Sequence, residues 1–160
     1  MAQRDWVIEH MDRYKATGGE DGHMWKGGDG KQNLPCLILT TTGRRSGKQF
    51  ETALIYGKDG DNYVIVASVG GAPKHPLWYE NLAANPTVEL QVMADKFTAT
   101  ARTASGEERA RLWTTMAKIF PTYDRYHDKS KGHREIPVVV CEPVKWWHGS
   151  AAFRGDRRAL

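Results

Sequence analysis

The chain has little cysteine, little uncompensated charge and no long apolar run. Two cysteines in 160 residues cannot supply the disulfide framework of a small secreted fold. No apolar stretch approaches the roughly 20 residues that a membrane-spanning helix needs. Met1-Ala2-Gln3-Arg4-Asp5 leads into no apolar signal core, so a cytoplasmic location is expected. Six histidines (His10, His23, His75, His127, His133, His148) show no HExxH or CxxC-type grouping, so no metal is expected. Lys and Arg outnumber Asp and Glu by only 23 to 19, and the tail at 153–160, with three Arg and one Asp, holds +2 of that +4. The near-neutral remainder argues against nucleic acid as a partner. What is present is a globular composition, 40% apolar and 26% charged. At this length one domain suffices to bury roughly 70% of the unfolded surface without staples.

The pattern divides into an N-terminal helix and glycine-rich connector (1–34), a β-rich body (35–143) and a tail (144–160). Residues 5–15 space Trp6, Val7, Met11 and Tyr14 as a helix would, and Thr17-Gly18-Gly19 stops it. Six glycines between 18 and 33 read as a mobile connector. Six strands are expected: Pro35–Thr42, Phe50–Tyr56, Tyr63–Ser68, Thr87–Met93, Phe97–Thr103 and Ile136–Cys141. Lys58-Asp59-Gly60-Asp61 and Ala94-Asp95 are hairpin connections. Pro76 opens a short helix, Ser105-Gly106-Glu107-Glu108 fits a capping box ahead of a longer one, and an aromatic helix follows Pro121. Strands joined by short turns pair antiparallel. Six of this length close most economically into a small, mainly β (α+β) barrel with helices packed outside.

Three stretches could carry chemistry. Gly43-Arg44-Arg45-Ser46-Gly47-Lys48 concentrates three cations, a hydroxyl and two glycines in one turn. Such a turn suits a phosphate, though a solvated hairpin looks the same. It is not a Walker loop, because three residues rather than four separate the glycines and Gln49 stands where a magnesium-holding hydroxyl would be. Next, Ala67-Ser68-Val69-Gly70-Gly71 ends a strand in small residues that would let a flat ring approach, and a helix start with Trp78 and Tyr79 follows. Trp78 and Leu82 are equally a buried stripe. Finally, Phe120, Tyr123 and Tyr126 share one helical face, either as core or as a cover over a planar ligand. Cys36 and Cys141 read as inert buried thiols, and Trp146-Trp147-His148 as aromatics packed back on the barrel.

Together these stretches resemble the deazaflavin-dependent nitroreductases and F420H2-dependent quinone reductases, which use coenzyme F420. The resemblance rests on Leu39 to Gly47, Asp59-Gly60, Ala67-Ser68, Gly70 to Leu82, Asn85-Pro86, Tyr123-Asp124-Arg125-Tyr126 and Arg134 to Val138. It implies a split β-barrel shared with flavin-mononucleotide oxidases of the pyridoxamine-phosphate type. Arg44, Arg45 and Ser46 would then hold the cofactor phosphate, leaning more on Lys48 because Phe50 stands where some members have arginine. Thr52, Ala53, Leu54 and Ile55 would line the ring, with Val66, Ala67 and Ser68 opposite. Leu77, Trp78 and Asn81 would flank the cofactor side chain and Tyr123 would cap the site. Ile55 and Phe120 replace tyrosines of some relatives, which bears on substrate preference.

The activity so implied is hydride transfer from reduced deazaflavin to a small electrophile: a nitroaromatic, a quinone or a conjugated enone. Ser68 and a phenol from Tyr123 or Tyr126 would donate hydrogen bonds to the negative charge developing there. Flavin mononucleotide is the alternative cofactor, and a non-catalytic deazaflavin-binding module the alternative role. The expected partner is a small-molecule electron acceptor, with weak membrane association if that acceptor is a lipid quinone. The assembly is a monomer or a homodimer.

Overall fold

A computed structural model describes residues 3–144. The tail from 145 onward, with Trp146, Trp147 and His148, lies outside the described residues.

Helix α1 (Gln3–Thr17) leads to eight strands: β1 (Met24–Trp25), β2 (Leu34–Thr42), β3 (Gln49–Ile55), β4 (Gly57–Asp59), β5 (Asn62–Val66), β6 (Thr87–Val92), β7 (Asp95–Thr103) and β8 (Val138–Pro143). Helix α2 (Leu77–Ala84) lies between β5 and β6, and α3 (Gly106–Ile119) and α4 (Thr122–Ser130) lie between β7 and β8. Every pairing is antiparallel, and the order runs β1-β2-β6-β7-β8-β5-β4 with β3 on the other side of β2. The mainly β split barrel is as expected, but among the described residues eight strands replace six.

Each extra strand has an identifiable cause. The expected Phe50–Tyr56 strand pairs with β2 only as far as Ile55. The chain then bends, and Gly57–Asp59 pairs with β5 at the far end of the sheet, so β3 and β4 together bridge its two sides. Gly57 permits the bend to pack: a Cβ there would stand 2.6 Å from Met116 Sδ. The other addition corrects the expectation of a mobile connector. Met24 and Trp25 pair with Pro35 and Leu34, the Cys36 N–H donates to the His23 carbonyl at 2.7 Å, and His23 Nε2 meets the Tyr56 hydroxyl at 2.8 Å.

Alternation along the strands feeds two cores. Val64 and Val66 of β5 and Val138 and Val140 of β8 face a cluster completed by Leu112 and Met116 of α3 and Phe120 and Tyr123 around α4. Ile65, Val139 and Cys141, between them, face a second cluster with Leu37 and Leu39 of β2, Leu90 of β6 and Leu82 of α2. Burial on both faces explains why these strands read as continuous apolar runs. Helix α1 is pinned by the fully buried Tyr14, whose hydroxyl donates to the Cys36 carbonyl at 2.9 Å and accepts the Met93 N–H at 2.8 Å.

The capping box does not close. Ser105 occupies the cap with extended backbone, but its side chain makes no capping bond. The Glu108 carboxylate is held instead by Arg102, at 2.7 and 2.9 Å.

Candidate active site

A cleft of about 470 Å³ opens between β3 and the helices, and it gathers residues from most of the chain. Thr52, Ala53, Leu54 and Ile55 form one wall; Val66, Ser68, Val69 and Gly70 form the wall where β5 ends. Pro76 and Trp78 close one side at the start of α2, and Phe120, Tyr123 and Tyr126 close another. The cleft thus brings together nine of the expected site residues: Thr52, Ala53, Leu54, Ile55, Val66, Ser68, Trp78, Tyr123 and Tyr126.

The ring cluster is self-supporting. Phe120 and Tyr123 meet edge to face with centroids 5.0 Å apart, and Tyr126 stands 6.2 Å from Phe120 and 6.4 Å from Tyr123. The Trp113 indole N–H donates to Asp124 at 2.8 Å and locks α4 to α3. Burial pushes the Tyr123 phenol well above its usual range. It therefore stays protonated at neutral pH, as a hydrogen-bond donor rather than a base.

The Ser68 wall is a strained bend. Val69 (φ +44°), Gly70 (φ +63°) and Gly71 (φ +81°) all occupy the left-handed region. For a β-branched residue such as Val69 this costs on the order of 1–3 kcal/mol. Gly71 is required twice over, since a Cβ there would lie 2.9 Å from the Tyr126 carbonyl oxygen and 3.0 Å from its Cα. That contact brings the Ser68 bend against the helix carrying Tyr123 and Tyr126.

The basic turn lies outside the cleft lining but is tied to it through α2. Asn81, buried, accepts the Arg44 N–H at 3.2 Å and donates to the Thr41 hydroxyl at 3.3 Å. The Arg44 guanidinium pairs with Glu80 at 3.0 Å. Arg45 and Lys48 are exposed and form no ion pair among the described residues. The Ser46 hydroxyl accepts the Lys48 N–H at 3.1 Å and shapes the turn. Of the other expected site residues, Ala67 is buried behind the wall and Leu77 is 70% exposed, and neither lines the cleft.

Sequence reasoning missed four contributors. Val7 and His10 of α1, Trp25 of β1 and Cys36 of β2 also line the cleft. His10 Nε2 donates to the Gly22 carbonyl at 2.8 Å. The six-glycine stretch hid Trp25, because no periodicity survives over a two-residue strand. Burial raises the Cys36 thiol to about 12, so it is an inert wall.

Comparison with known proteins identifies the family. The model of the F420H(2)-dependent quinone reductase family covers residues 6–143. An F420H(2)-dependent quinone reductase of Mycobacterium tuberculosis is 41% identical over 130 residues, 79% of this chain and 83% of that protein. A solved F420-H2 dependent reductase superposes with a TM-score of 0.63 at 41% identity, covering 68% of this chain and 94% of its own. Another solved chain, described as a domain-swapped dimer, gives a TM-score of 0.64 at 36% identity over 88% of this chain and all of its own. With a split barrel, a ring-lined cleft and a family match spanning nearly all the described residues, the chain belongs to the F420H(2)-dependent quinone reductases.

Proposed function

We propose that the protein reduces a small quinone-like acceptor in the cleft between Ser68 and Tyr123, using reduced F420. The observation that carries this reading is the pairing of a ring-walled cleft with two uncommitted cations, Arg45 and Lys48, on a turn that α2 ties to it. The residues present fit the cofactor. Thr52 and Ala53 are small enough to admit a flat ring system against β3, and Ser46, Arg45 and Lys48 suit its phosphate. When bound, the deazaflavin supplies a hydride, with no one-electron chemistry required of the protein.

The chain's own residues do the rest. Leu54, Ile55 and Phe120 exclude water, which strengthens each polar contact inside. Trp78 and the bend at Val69-Gly70 limit where an acceptor can lie, and such positioning accounts for much of the rate. Ser68 and the protonated Tyr123 offer hydrogen bonds to an acceptor oxygen as it gains negative charge, and Tyr126 offers a second phenol from the same helix face. Asn81 and Glu80 act further back, by holding the basic turn in place.

Two titrations and an acceptor panel test this. Fluorescence titration should show binding of oxidised F420, with flavin mononucleotide much weaker. Stopped-flow oxidation of reduced F420 should then depend on added quinone. Tight F420 binding with no oxidation by any quinone, nitroaromatic or enone would favour a binding module. Preference for flavin mononucleotide would overturn the cofactor assignment. The relative described as a domain-swapped dimer supports looking for a dimer by light scattering.

A further inference from the structure

Arg134 follows α4 by four residues and does not line the cleft, yet its guanidinium is spent on the cleft's wall. Nη1 donates to the Ala67 carbonyl at 2.9 Å, Nη2 to the Ser68 carbonyl at 2.7 Å and Nε to the Ala72 carbonyl at 2.9 Å. Nη1 also donates to His75 Nδ1 at 3.0 Å, so that nitrogen carries no proton. None of these four partners is anionic, and Arg134 forms no ion pair among the described residues.

These contacts bracket the strained bend. Ala67 and Ser68 precede Val69-Gly70-Gly71, and Ala72 and His75 follow it. In an extended strand successive carbonyls point to opposite sides. Ser68 has φ −82° and ψ −40°, which brings the Ala67 and Ser68 carbonyls round to one guanidinium. Gly71 is buried against α4, but Val69 is half-exposed, so burial does little to hold that residue in the left-handed region. The planar fork of arginine spans both ends at once, whereas lysine's single nitrogen on a flexible stem does not.

We propose that Arg134 is a positioning residue for the reductase reaction: it staples the two ends of the Ser68–Ala72 bend and so sets the direction of Ser68 and the start of α2 relative to Tyr123. The proposal rests on the function argued above only for its kinetic part, because the staple itself is measurable in the free protein. Arg134 contacts only the outside of this wall, so its loss acts on acceptor placement more than on the phosphate grip at the 43–48 turn.

The experiment compares wild type with Arg134→Lys and Arg134→Ala by amide hydrogen exchange, F420 titration and oxidation of reduced F420 by a soluble benzoquinone. Exchange at Ser68–Ala72 is expected to speed up in both variants without ligand. Turnover, kcat, should fall roughly 10-fold for Arg134→Lys and roughly 100-fold for Arg134→Ala, the scale of a displacement near 1 Å. The F420 Kd should stay within about threefold, separating positioning from binding. Added methylguanidinium should recover part of the Arg134→Ala loss and leave wild type unchanged. If Arg134→Ala does not fold, Arg134→Lys decides. Unchanged exchange in that variant, or kcat within about twofold of wild type, overturns the proposal. Faster exchange in a wild-type background that shows no quinone-dependent turnover would instead sink the function and leave the staple standing.

Discussion

The proposed phosphate grip offers the sharpest quantitative test, because the structure divides three neighbouring cations into two kinds. Arg45 and Lys48 have no acidic partner among the described residues, whereas Arg44 faces Glu80 at 3.0 Å. A hydrogen bond from a charged donor contributes about 1.5–3 kcal/mol, and the exposed turn argues for the low end. Removing Arg45 or Lys48 alone should therefore weaken F420 binding roughly tenfold, and the double variant Arg45→Ala with Lys48→Ala roughly 100-fold, about 3 kcal/mol in all. Arg44→Ala also removes an exposed ion pair worth less than about 1 kcal/mol, and should weaken F420 less than either of the others. Fluorescence titration at low and high salt measures this, and the gap between wild type and double variant should shrink as salt screens the contacts. The chromophore without its phosphate tail should bind both proteins alike. The reasoning fails if the double variant holds intact F420 within about threefold of wild type, or loses the tail-less chromophore equally.

Three more perturbations probe the cleft. Tyr123→Phe and Tyr126→Phe should lower kcat on quinones while leaving F420 affinity unchanged, with the larger effect, roughly 10-fold or more, at the buried Tyr123; titration and steady-state rates check this. Gly71→Ala forces a Cβ against the Tyr126 backbone at φ +81° and should lower the melting temperature by several degrees, at roughly 2–4 °C per kcal/mol for a chain of 160 residues. It should also cost turnover, read on protein shown to be folded. His23 and His75 have pKa values below the usual 6.5, both mainly through burial and His75 also through the Arg134 charge. The unfolded chain therefore takes up these protons first. Stability should be complete above about pH 6.5 and decline as pH falls through the lowered values. Urea unfolding between pH 7.5 and 5 measures the slope, and His75→Gln should flatten it.

What the sequence disclosed is what depends on neighbours along the chain. The β4–β5 hairpin followed from Asp59-Gly60, whose turn chemistry is local, whereas the β6–β7 turn falls one residue earlier than the expected Ala94-Asp95: Asp95 already pairs with Val92, and left-handed Met93 (φ +57°) makes the turn with Ala94. Tyr123 and Tyr126 were visible because three-residue spacing puts them on one face. What escaped depends on distant partners. The break at Tyr56 is settled by Met116 packing on Gly57. Trp25 entered the cleft because two residues of a glycine-rich stretch found Pro35 and Leu34 to pair with. Arg134 carried no sign of its work, since backbone carbonyls are acceptors that no residue type announces.

The cleft is held by two unlike means, and they should respond differently to substitution. Its β3 and β5 sides are continuous with strands whose alternating residues fill both cores, so Leu54, Ile55 and Val66 are fixed by packing shared with the whole fold. A change there lowers stability and activity together. The Ser68 bend and the 43–48 turn instead hang on a few directed bonds, from Arg134, Gly71, Asn81 and Glu80. Arginine, asparagine and glutamate side chains at these points contribute little buried apolar area, so their loss costs the fold less than it costs placement. Substitutions that separate turnover from melting temperature should therefore cluster at Arg134, Asn81 and Glu80, and a mutational scan in which they instead track the core positions would refute this division.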